Sequence, residues 1–177
     1  GVGAAEPRPV ARVQESGYRL VKNWDFKTLI RDEAALRKEF FTRYIYDQGR
    51  QDHLNDEWSR YRDNGNHQFG DAGLSLVARV AGGELKPGKV ESGMLRSRWS
   101  GQYGVYEIRM KAPRGRGMWP AFWLNPQDAT GPPEIDVVEI VNDSPEFSNR
   151  SGQCRHGAGT KGAAVRSTRL DKKWQFY

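Results

Sequence analysis

The sequence lacks the features that define several protein classes. One cysteine, Cys154, among 177 residues excludes an internal disulfide, and no Cys or His cluster at zinc spacing surrounds it. No run of about 18 apolar residues occurs, so no membrane-spanning segment is predicted. No charged-then-apolar stretch of the secretory kind occurs, and residues 1–9 are expected to be the start of a mature chain. Without repeats or low-complexity segments, the composition favours one soluble domain or part of one.

Charge of one sign is in mild excess. Lys and Arg total 28 against 22 for Asp and Glu, which gives a net charge of +6. The excess is spread through Arg-x-Arg patterns such as Arg96/Arg98, and no basic block or nucleic-acid motif concentrates it. Nucleic-acid binding is therefore a weak alternative, whereas a positive surface suits an acidic polysaccharide or a bacterial envelope.

Gly and Pro separate short segments with strand-like patterns along most of the chain. Asp32 is a candidate N-cap for a short helix that ends at Phe40 or Phe41, although Phe40 to Tyr46 competes as a strand. The spacing of the other segments predicts an all-β fold, either an antiparallel sandwich or a jelly roll. The predicted strands, each bounded by turn residues, are Tyr18 to Phe26, Leu74 to Val80, Val90 to Trp99, Tyr103 to Lys111, Met118 to Asn125 and Glu134 to Glu139.

The last of these strands contains three acids within an apolar, β-branched run. Strand alternation places Glu134 and Asp136 on one face but directs Glu139, five residues after Glu134, to the other. A β-bulge, most simply at Val137 or Val138, resets the alternation and returns Glu139 to the acidic face. Such a group of carboxyls suits chemistry in which one keeps its proton as an acid while another acts as a nucleophile.

Two other interpretations of this strand remain open on these residues alone. A solvated polar face on an edge strand produces the same alternation of acidic and apolar residues. Hard cations also bind carboxylate oxygens, so an acidic metal site is the second alternative. The neighbouring segments are needed to decide among the three interpretations.

Tryptophans on the preceding strand favour a carbohydrate cleft. Trp119, Ala121 and Trp123 fall on one face of that strand, and Phe122 and Leu124 fall on the other. The rise per residue separates the two tryptophans by roughly 13 Å, close to the length of a few sugar units. Because Phe122 and Leu124 can fill the core, the tryptophans are free to stack on sugar rings.

Motifs in a fixed order and spacing extend over most of the chain, from about Trp24 to His156. They are Glu57-Trp58 with Tyr61 and Asn66, Gly73 to Ala78, Ser92-Gly93, Tyr103-Gly104, Glu107-Ile108-Arg109, Gly117 to Leu124 and Glu134 to Glu139. Together they resemble glycoside hydrolase family 16. With two residues between Asp136 and Glu139, the acidic strand is similar to the bulged branch that includes laminarinases, agarases and carrageenases. Lichenases of the same family typically have one residue there.

The resemblance implies a jelly roll of two antiparallel sheets whose concave sheet forms a cleft. It also implies retaining, endo-acting hydrolysis of a β-linked polysaccharide such as a β-1,3- or β-1,3-1,4-glucan. By motif position, Glu134 is expected to be the nucleophile and Glu139 the general acid and then base. Asp136 is expected to orient the nucleophile and tune its charge. A retaining pair needs its carboxyl groups roughly 5 to 5.5 Å apart.

Further residues match family positions that contact sugar. The expected substrate-binding residues are Trp58, Asn66, Arg109, Trp119, Trp123 and His156. For Arg109, a cross-strand salt bridge is the alternative. His156 resembles the histidine that follows the acidic strand in many bulged members, although a surface histidine in a Gly-rich loop fits equally well.

The resemblance also bears on cofactors, partners and location. No cofactor is expected to be required, and a structural calcium ion is allowed for because relatives carry one on the outer face. A polysaccharide is the expected partner, and neither nucleic acid nor a membrane is expected. The implied location is secreted or periplasmic.

The chain departs from the family pattern at its C-terminal end, because family domains usually continue with further strands. Residues 1–17 are interpreted as an N-terminal extension, and residues 18–177 as the N-terminal part of a single jelly-roll catalytic domain. Its sheets are expected to be incomplete, which exposes an edge unless a second chain supplies the missing strands. The alternative functions are a non-catalytic carbohydrate-binding or structural protein on the same scaffold, and a hydrolase of an acidic or sulfated galactan.

Overall fold

The computed structural model describes residues 14–130, 133–140, 150–157, 160–162, 168–169 and 175–176. Short strands dominate these residues, and the longest helix among them has 7 residues. The all-β class predicted from the sequence is therefore confirmed. None of the helices in these ranges combines the length and the apolar character needed to cross a membrane.

The chain divides into two compact units, an N-terminal unit of residues 19–102 and a C-terminal unit that comprises residues 103–177 with residues 1–18. The predicted division into an extension and a catalytic domain at residue 18 stays a prediction. The elements of the N-terminal unit are α1 (Glu33–Glu39), β1 (Phe40–Phe41), α2 (Tyr46–Gly49), β2 (Ser59–Tyr61), β3 (His67–Gly70), β4 (Gly73–Leu76), β5 (Arg79–Val80), a 3₁₀ turn (Ala81–Gly83), β6 (Val90–Ser92) and β7 (Arg96–Ser97).

Pairing within the N-terminal unit is mainly antiparallel. Strand β1 pairs with β7, and β3 pairs with β4. Strand β6 lies between β5, its antiparallel neighbour, and β2, with which it is parallel. The parallel pair differs from the antiparallel pairing that the sequence predicted, and the long connection from β2 to β6 is what permits it.

The core of the N-terminal unit forms around α1. Asp32 caps this helix as predicted, since its Oδ1 accepts a hydrogen bond of 2.8 Å from the backbone amide of Ala35. Leu36 is buried with Ile30 and Phe40, and Trp24, Phe26, Ala35, Phe69, Leu74 and Leu95 pack around them. Burial of each large apolar side chain contributes roughly 1.5–3 kcal/mol to folding.

Two predicted strands of this unit differ from the structure. Residues 18–25 form no strand, because no other described segment pairs with them, and Asp25 then begins a turn by accepting a hydrogen bond of 2.7 Å from the amide of Lys27. The predicted strand from Val90 to Trp99 is interrupted after Ser92. At Gly93 a Cβ atom would lie 2.6 Å from the carbonyl oxygen of Asn66, so this close approach requires glycine.

The C-terminal unit contains the acidic strand. Its elements are β8 (Arg109–Met110), β9 (Ala121–Leu124), β10 (Glu134–Glu139), β11 (Arg150–Gly157), β12 (Thr160–Gly162), β13 (Thr168–Arg169) and β14 (Gln175–Phe176). Four strands form an antiparallel sheet in the order β12-β11-β10-β9; β13 also pairs with β11, and β8 pairs with β14. Within the part of the chain that the structure describes, the predicted strand from Tyr103 to Lys111 is paired only at β8.

The core of the C-terminal unit lies on one face of β10. Val138 and Ile140 are fully buried, and Met110, Ala112 and Phe122 pack against them. Phe122 therefore occupies the core, as the alternation on β9 predicted.

Candidate active site

Strand β10 contains an extra residue relative to both of its neighbours. Asp136 is paired with Trp123 of β9, and Val138 is paired with Phe122, so the register skips Val137. The register with β11 also shifts within this segment. The predicted β-bulge is confirmed, and it lies at Val137.

The bulge gives the three acids a common face. Directly opposed residues of an antiparallel pair point to the same side of a sheet. Asp136 is opposed to Trp123, and Glu139 is opposed to Ala121, which precedes Trp123 by two residues on β9. Asp136 and Glu139 therefore share a face. Glu134, two residues before Asp136 in the regular part of the strand, shares it as well.

Trp119 contacts one of the predicted catalytic acids directly. Its indole Nε1 donates a hydrogen bond of 2.9 Å to Oε1 of Glu139. The side chain of Trp119 is 56% exposed, so much of its ring remains open to solvent. Among the described residues no other hydrogen bond reaches Glu139, which leaves its Oε2 available to a ligand.

The three acids differ in their access to solvent. Asp136 is buried, with 5% of its surface exposed, whereas Glu134 and Glu139 are half-buried. A polysaccharide can approach the two glutamates more readily than the aspartate. The roles expected for Glu134, Asp136 and Glu139 stay predictions.

The two other interpretations of the acidic strand are not supported. Strand β10 lies between β9 and β11, so it is not an edge strand. Across the ranges that the structure describes, no group of three or more His, Cys, Asp or Glu side chains could hold a metal ion. A structural calcium ion elsewhere on the protein stays a prediction.

The remaining predicted residues of the C-terminal unit occupy different settings. Trp123 is half-buried on β9, and Arg109 is exposed on β8, next to Met110 of the core. The backbone register of β10 and β11 pairs His156 with Glu134. Substrate contacts of Trp123, Arg109 and His156 stay predictions.

Two predicted sugar-binding residues belong to the N-terminal unit. Asn66 is fully buried; its Nδ2 donates to the carbonyl of Val77 at 3.0 Å, and its Oδ1 accepts from the amide of Asn64 at 3.1 Å. These bonds give Asn66 a structural function. Trp58 is 47% exposed. It borders a cavity of about 280 Å³ that is also lined by His53, Asn55, Asp56, Glu57, Arg60 and Pro87. Substrate contacts of both residues stay predictions.

A carboxylate network in the N-terminal unit was not foreseen from the sequence. Glu57 accepts hydrogen bonds from the hydroxyl of Tyr44 at 3.1 Å, the hydroxyl of Tyr61 at 2.9 Å and the amide of Leu54 at 2.7 Å. Burial, reinforced by Tyr61 and Glu57, raises the pKa of Tyr44 far above its usual range, so this hydroxyl stays a donor. The network fixes the segment that precedes Trp58. Only the local spacing of Leu54, Glu57 and Tyr61 could have signalled it.

Known proteins share parts of this sequence. Over 56 residues the chain is 50% identical to the endo-1,3-1,4-beta-glycanase EglC of Rhizobium meliloti (strain 1021), a stretch that is 30% of this chain and 12% of that protein. Over 72 residues it is 43% identical to the keratan-sulfate endo-1,4-beta-galactosidase of Sphingobacterium multivorum, which covers 37% of this chain and 15% of that protein. The chain therefore spans less than a fifth of the length of either relative.

A solved structure and a family model extend the comparison to most of the chain. The crystal structure of beta-agarase A in complex with oligoagarose superposes with a TM-score of 0.55 at 21% identity, covering 88% of this chain and 54% of that one. This likeness confirms the predicted jelly-roll fold. The model for glycosyl hydrolases family 16 matches residues 54–173, which is more than half of the sequence, and the chain therefore belongs to that family.

Proposed function

We propose that this protein is an endo-acting glycoside hydrolase that cleaves a β-linked glucan with retention at the anomeric carbon. The observation that carries the proposal is the bulge at Val137, which sets Glu134, Asp136 and Glu139 on one face of β10 beside Trp119. The name of the relative EglC supports a glycan with β-1,3 and β-1,4 linkages, of which a β-1,3-1,4-glucan is the proposed substrate and a β-1,3-glucan the nearest variant. Family membership supports a polysaccharide partner and a secreted or periplasmic location.

The proposed reaction has two steps. The carboxylate of Glu134 attacks the anomeric carbon while Glu139 gives its proton to the glycosidic oxygen, so the leaving sugar departs as an alcohol and a glycosyl ester remains on Glu134. Glu139, now a carboxylate, then takes a proton from water, whose oxygen attacks the same carbon and releases Glu134. Two displacements at one carbon restore the original configuration.

The contacts of the site support these assignments. The indole of Trp119 donates to Oε1 of Glu139, which holds the carboxyl group in one orientation and leaves the other oxygen for the glycosidic bond. Asp136 is buried opposite Trp123, where it can act on Glu134 without meeting the substrate. The exposed part of the Trp119 ring offers a surface for the C–H face of a sugar.

Hydrolysis of mixed-linkage β-glucan by the chain and by its Glu134→Gln variant tests the proposal. Loss of the nucleophile should abolish release of reducing ends while the polymer still binds, and proton NMR of early products should show the β-anomer. Glu84→Gln, at an exposed glutamate of the N-terminal unit, is the matched control and should keep full activity. Equal turnover by Glu134→Gln, or a first product with the α configuration, would contradict the proposed mechanism.

A second substrate class has support from another relative. The keratan-sulfate endo-1,4-beta-galactosidase matches this chain over 37% of its length, which favours a sulfated galactan. Reducing-sugar release from laminarin, mixed-linkage glucan, agar and carrageenan separates the substrate classes. A chain that binds one of these polymers without cleaving any would be a carbohydrate-binding protein on a hydrolase scaffold.

A further inference from the structure

Two arginines of the N-terminal unit share one aromatic ring. Phe41 of β1 is the register partner of Arg96 of β7. The guanidinium carbons of Arg96 and Arg98 lie 4.1 and 3.7 Å from the centroid of the Phe41 ring. At such distances each cation is attracted to the ring face. One partly exposed phenylalanine therefore holds two positive charges close together.

Backbone carbonyls fix both guanidinium groups. The Nε of Arg96 donates to the carbonyl of Arg43 at 3.1 Å, and the Nε of Arg98 donates to the carbonyl of Arg37 at 2.8 Å. Asp63 pairs with the side chains of Arg37 and Arg43. Within the described ranges, no carboxylate pairs with Arg96 or Arg98 and no acceptor meets their Nη atoms.

The two guanidinium groups repel each other. Burial and the charge of Arg98 lower the pKa of the Arg96 guanidinium, although arginine remains charged at neutral pH. An anion placed across the two groups would offset their mutual repulsion. A guanidinium whose Nε is already bonded still presents two Nη nitrogens, and its planar fork matches the oxygens of carboxylate or sulfate better than an ammonium does.

We propose that the pair formed by Arg96 and Arg98 is a binding site for the carboxylate or sulfate groups of an acidic polysaccharide. The inference rests on the proposed function in one respect, because it takes a polysaccharide as the ligand. An acidic polymer carries such groups at regular intervals, so a single polymer chain offers this site many ligands. The site thereby selects charged polymers over neutral ones.

Binding measured without hydrolysis tests the site. The full chain carrying Glu134→Gln is titrated with polygalacturonate, which supplies carboxylates, and with κ-carrageenan, which supplies sulfates. Adding Arg96→Lys and Arg98→Lys keeps both charges but removes the forks, and should weaken binding of at least one polymer by on the order of tenfold. The polymer that loses affinity identifies the preferred anion. Arg98→Lys alone changes an exposed residue and should lower the affinity for the same polymer by a smaller factor. This single variant tests the site if the double variant does not fold.

A charge-matched control separates the site from general attraction. Arg19→Lys with Arg50→Lys makes the same exchange at two exposed arginines of the same unit, keeps both charges, and should leave the affinities within about twofold of the parent. Unchanged binding of both polymers by the folded lysine variants, or an equal loss in the control, would overturn the proposal. Failure of the proposed function is visible separately, as absence of hydrolysis of every polymer by the unmodified chain.

Discussion

Glu57 and Glu139 are half-buried glutamates whose carboxylates are held in opposite ways. Glu57 accepts hydrogen bonds from two tyrosine hydroxyls and a backbone amide, so both of its oxygens are satisfied. Glu139 accepts one bond, from Trp119, and its second oxygen meets no partner in the described part of the protein. A carboxylate whose oxygens are all satisfied stabilises the fold, whereas one with a free oxygen is available to a substrate. The number of hydrogen-bond partners therefore separates Glu57 from the proposed catalytic acid Glu139, whereas burial does not.

The largest expected effect is the loss of activity when Glu139 is changed. Glu139→Gln keeps the shape and the Trp119 contact but cannot donate or accept a proton, so the rate on β-glucan should fall by roughly 10²- to 10⁴-fold. Urea denaturation should show a free energy of unfolding within about 0.5 kcal/mol of the parent, because no buried bond is lost. If Glu139→Gln lowered the free energy of unfolding as much as Glu57→Gln does, Glu139 would be a structural acid like Glu57.

The converse change should act on stability. Glu57→Gln replaces one carboxylate oxygen by an NH₂ group that faces donors, so the free energy of unfolding should drop by about 1–3 kcal/mol. Tyr61→Phe removes one of the donors and should account for about 1 kcal/mol of this. Urea denaturation measures both, with Glu84→Gln as the exposed control. Stability equal to the parent in Glu57→Gln would show that satisfied oxygens are not what distinguishes this glutamate.

A smaller effect is expected from the single donor to Glu139. Trp119→Phe keeps an aromatic ring but removes the indole N–H, and the rate should fall by roughly tenfold, as expected for one charge-assisted hydrogen bond. Stability should hardly change, since Trp119 is more than half exposed. Tyr103→Phe, at an exposed aromatic of the same unit, should leave the rate unchanged. An undiminished rate in Trp119→Phe would mean that the indole does not orient the acid.

The smallest effect concerns Asp63, whose contribution to the stability of the fold depends on pH. Burial tends to raise the pKa of Asp63, but the hydrogen bond with Thr42 and the charges of Arg43 and Arg37 outweigh it, and the net shift is downward. Its stabilising contribution is therefore present at pH values above about 4 and is lost as the pH falls through the lowered pKa. Asp63→Asn should be less stable at pH 7 by under about 1 kcal/mol, with a flatter decline in acid. Parallel pH–stability curves for the two proteins would contradict this.

Local patterns predicted the parts of the fold that depend on neighbours in sequence. A bulge at Val137 or Val138 followed from the spacing of Glu134 and Glu139, because a strand has a period of two, and the structure places it at Val137. The cap at Asp32 also followed from local spacing, because the Asp32 side chain lies three residues before the backbone amide of Ala35 that donates to it. Both features need no information about distant segments.

Features that depend on distant partners were either missed or predicted as strands where the structure has none. Residues 18–25 have strand-like side chains, but a strand also needs a neighbour with free hydrogen-bonding groups, and sequence does not specify one. The contact of Tyr44 with Glu57 joins residues that are 13 apart, and that of Arg98 with Phe41 depends on the pairing of β1 with β7. The pair of arginines at Arg96 and Arg98 was visible as a pattern, but the ring that holds both was not.

The unpaired residue of β10 has a consequence for how this strand can change over generations. If the codon for Val137 were deleted, Val138 would still oppose Phe122, and Asp136 and Glu139 would alternate regularly on one face. The ladder with β9 would then run without interruption. A lineage can therefore pass between the longer and the shorter form of this segment in one genetic event, without turning a core side chain outward or an acid inward.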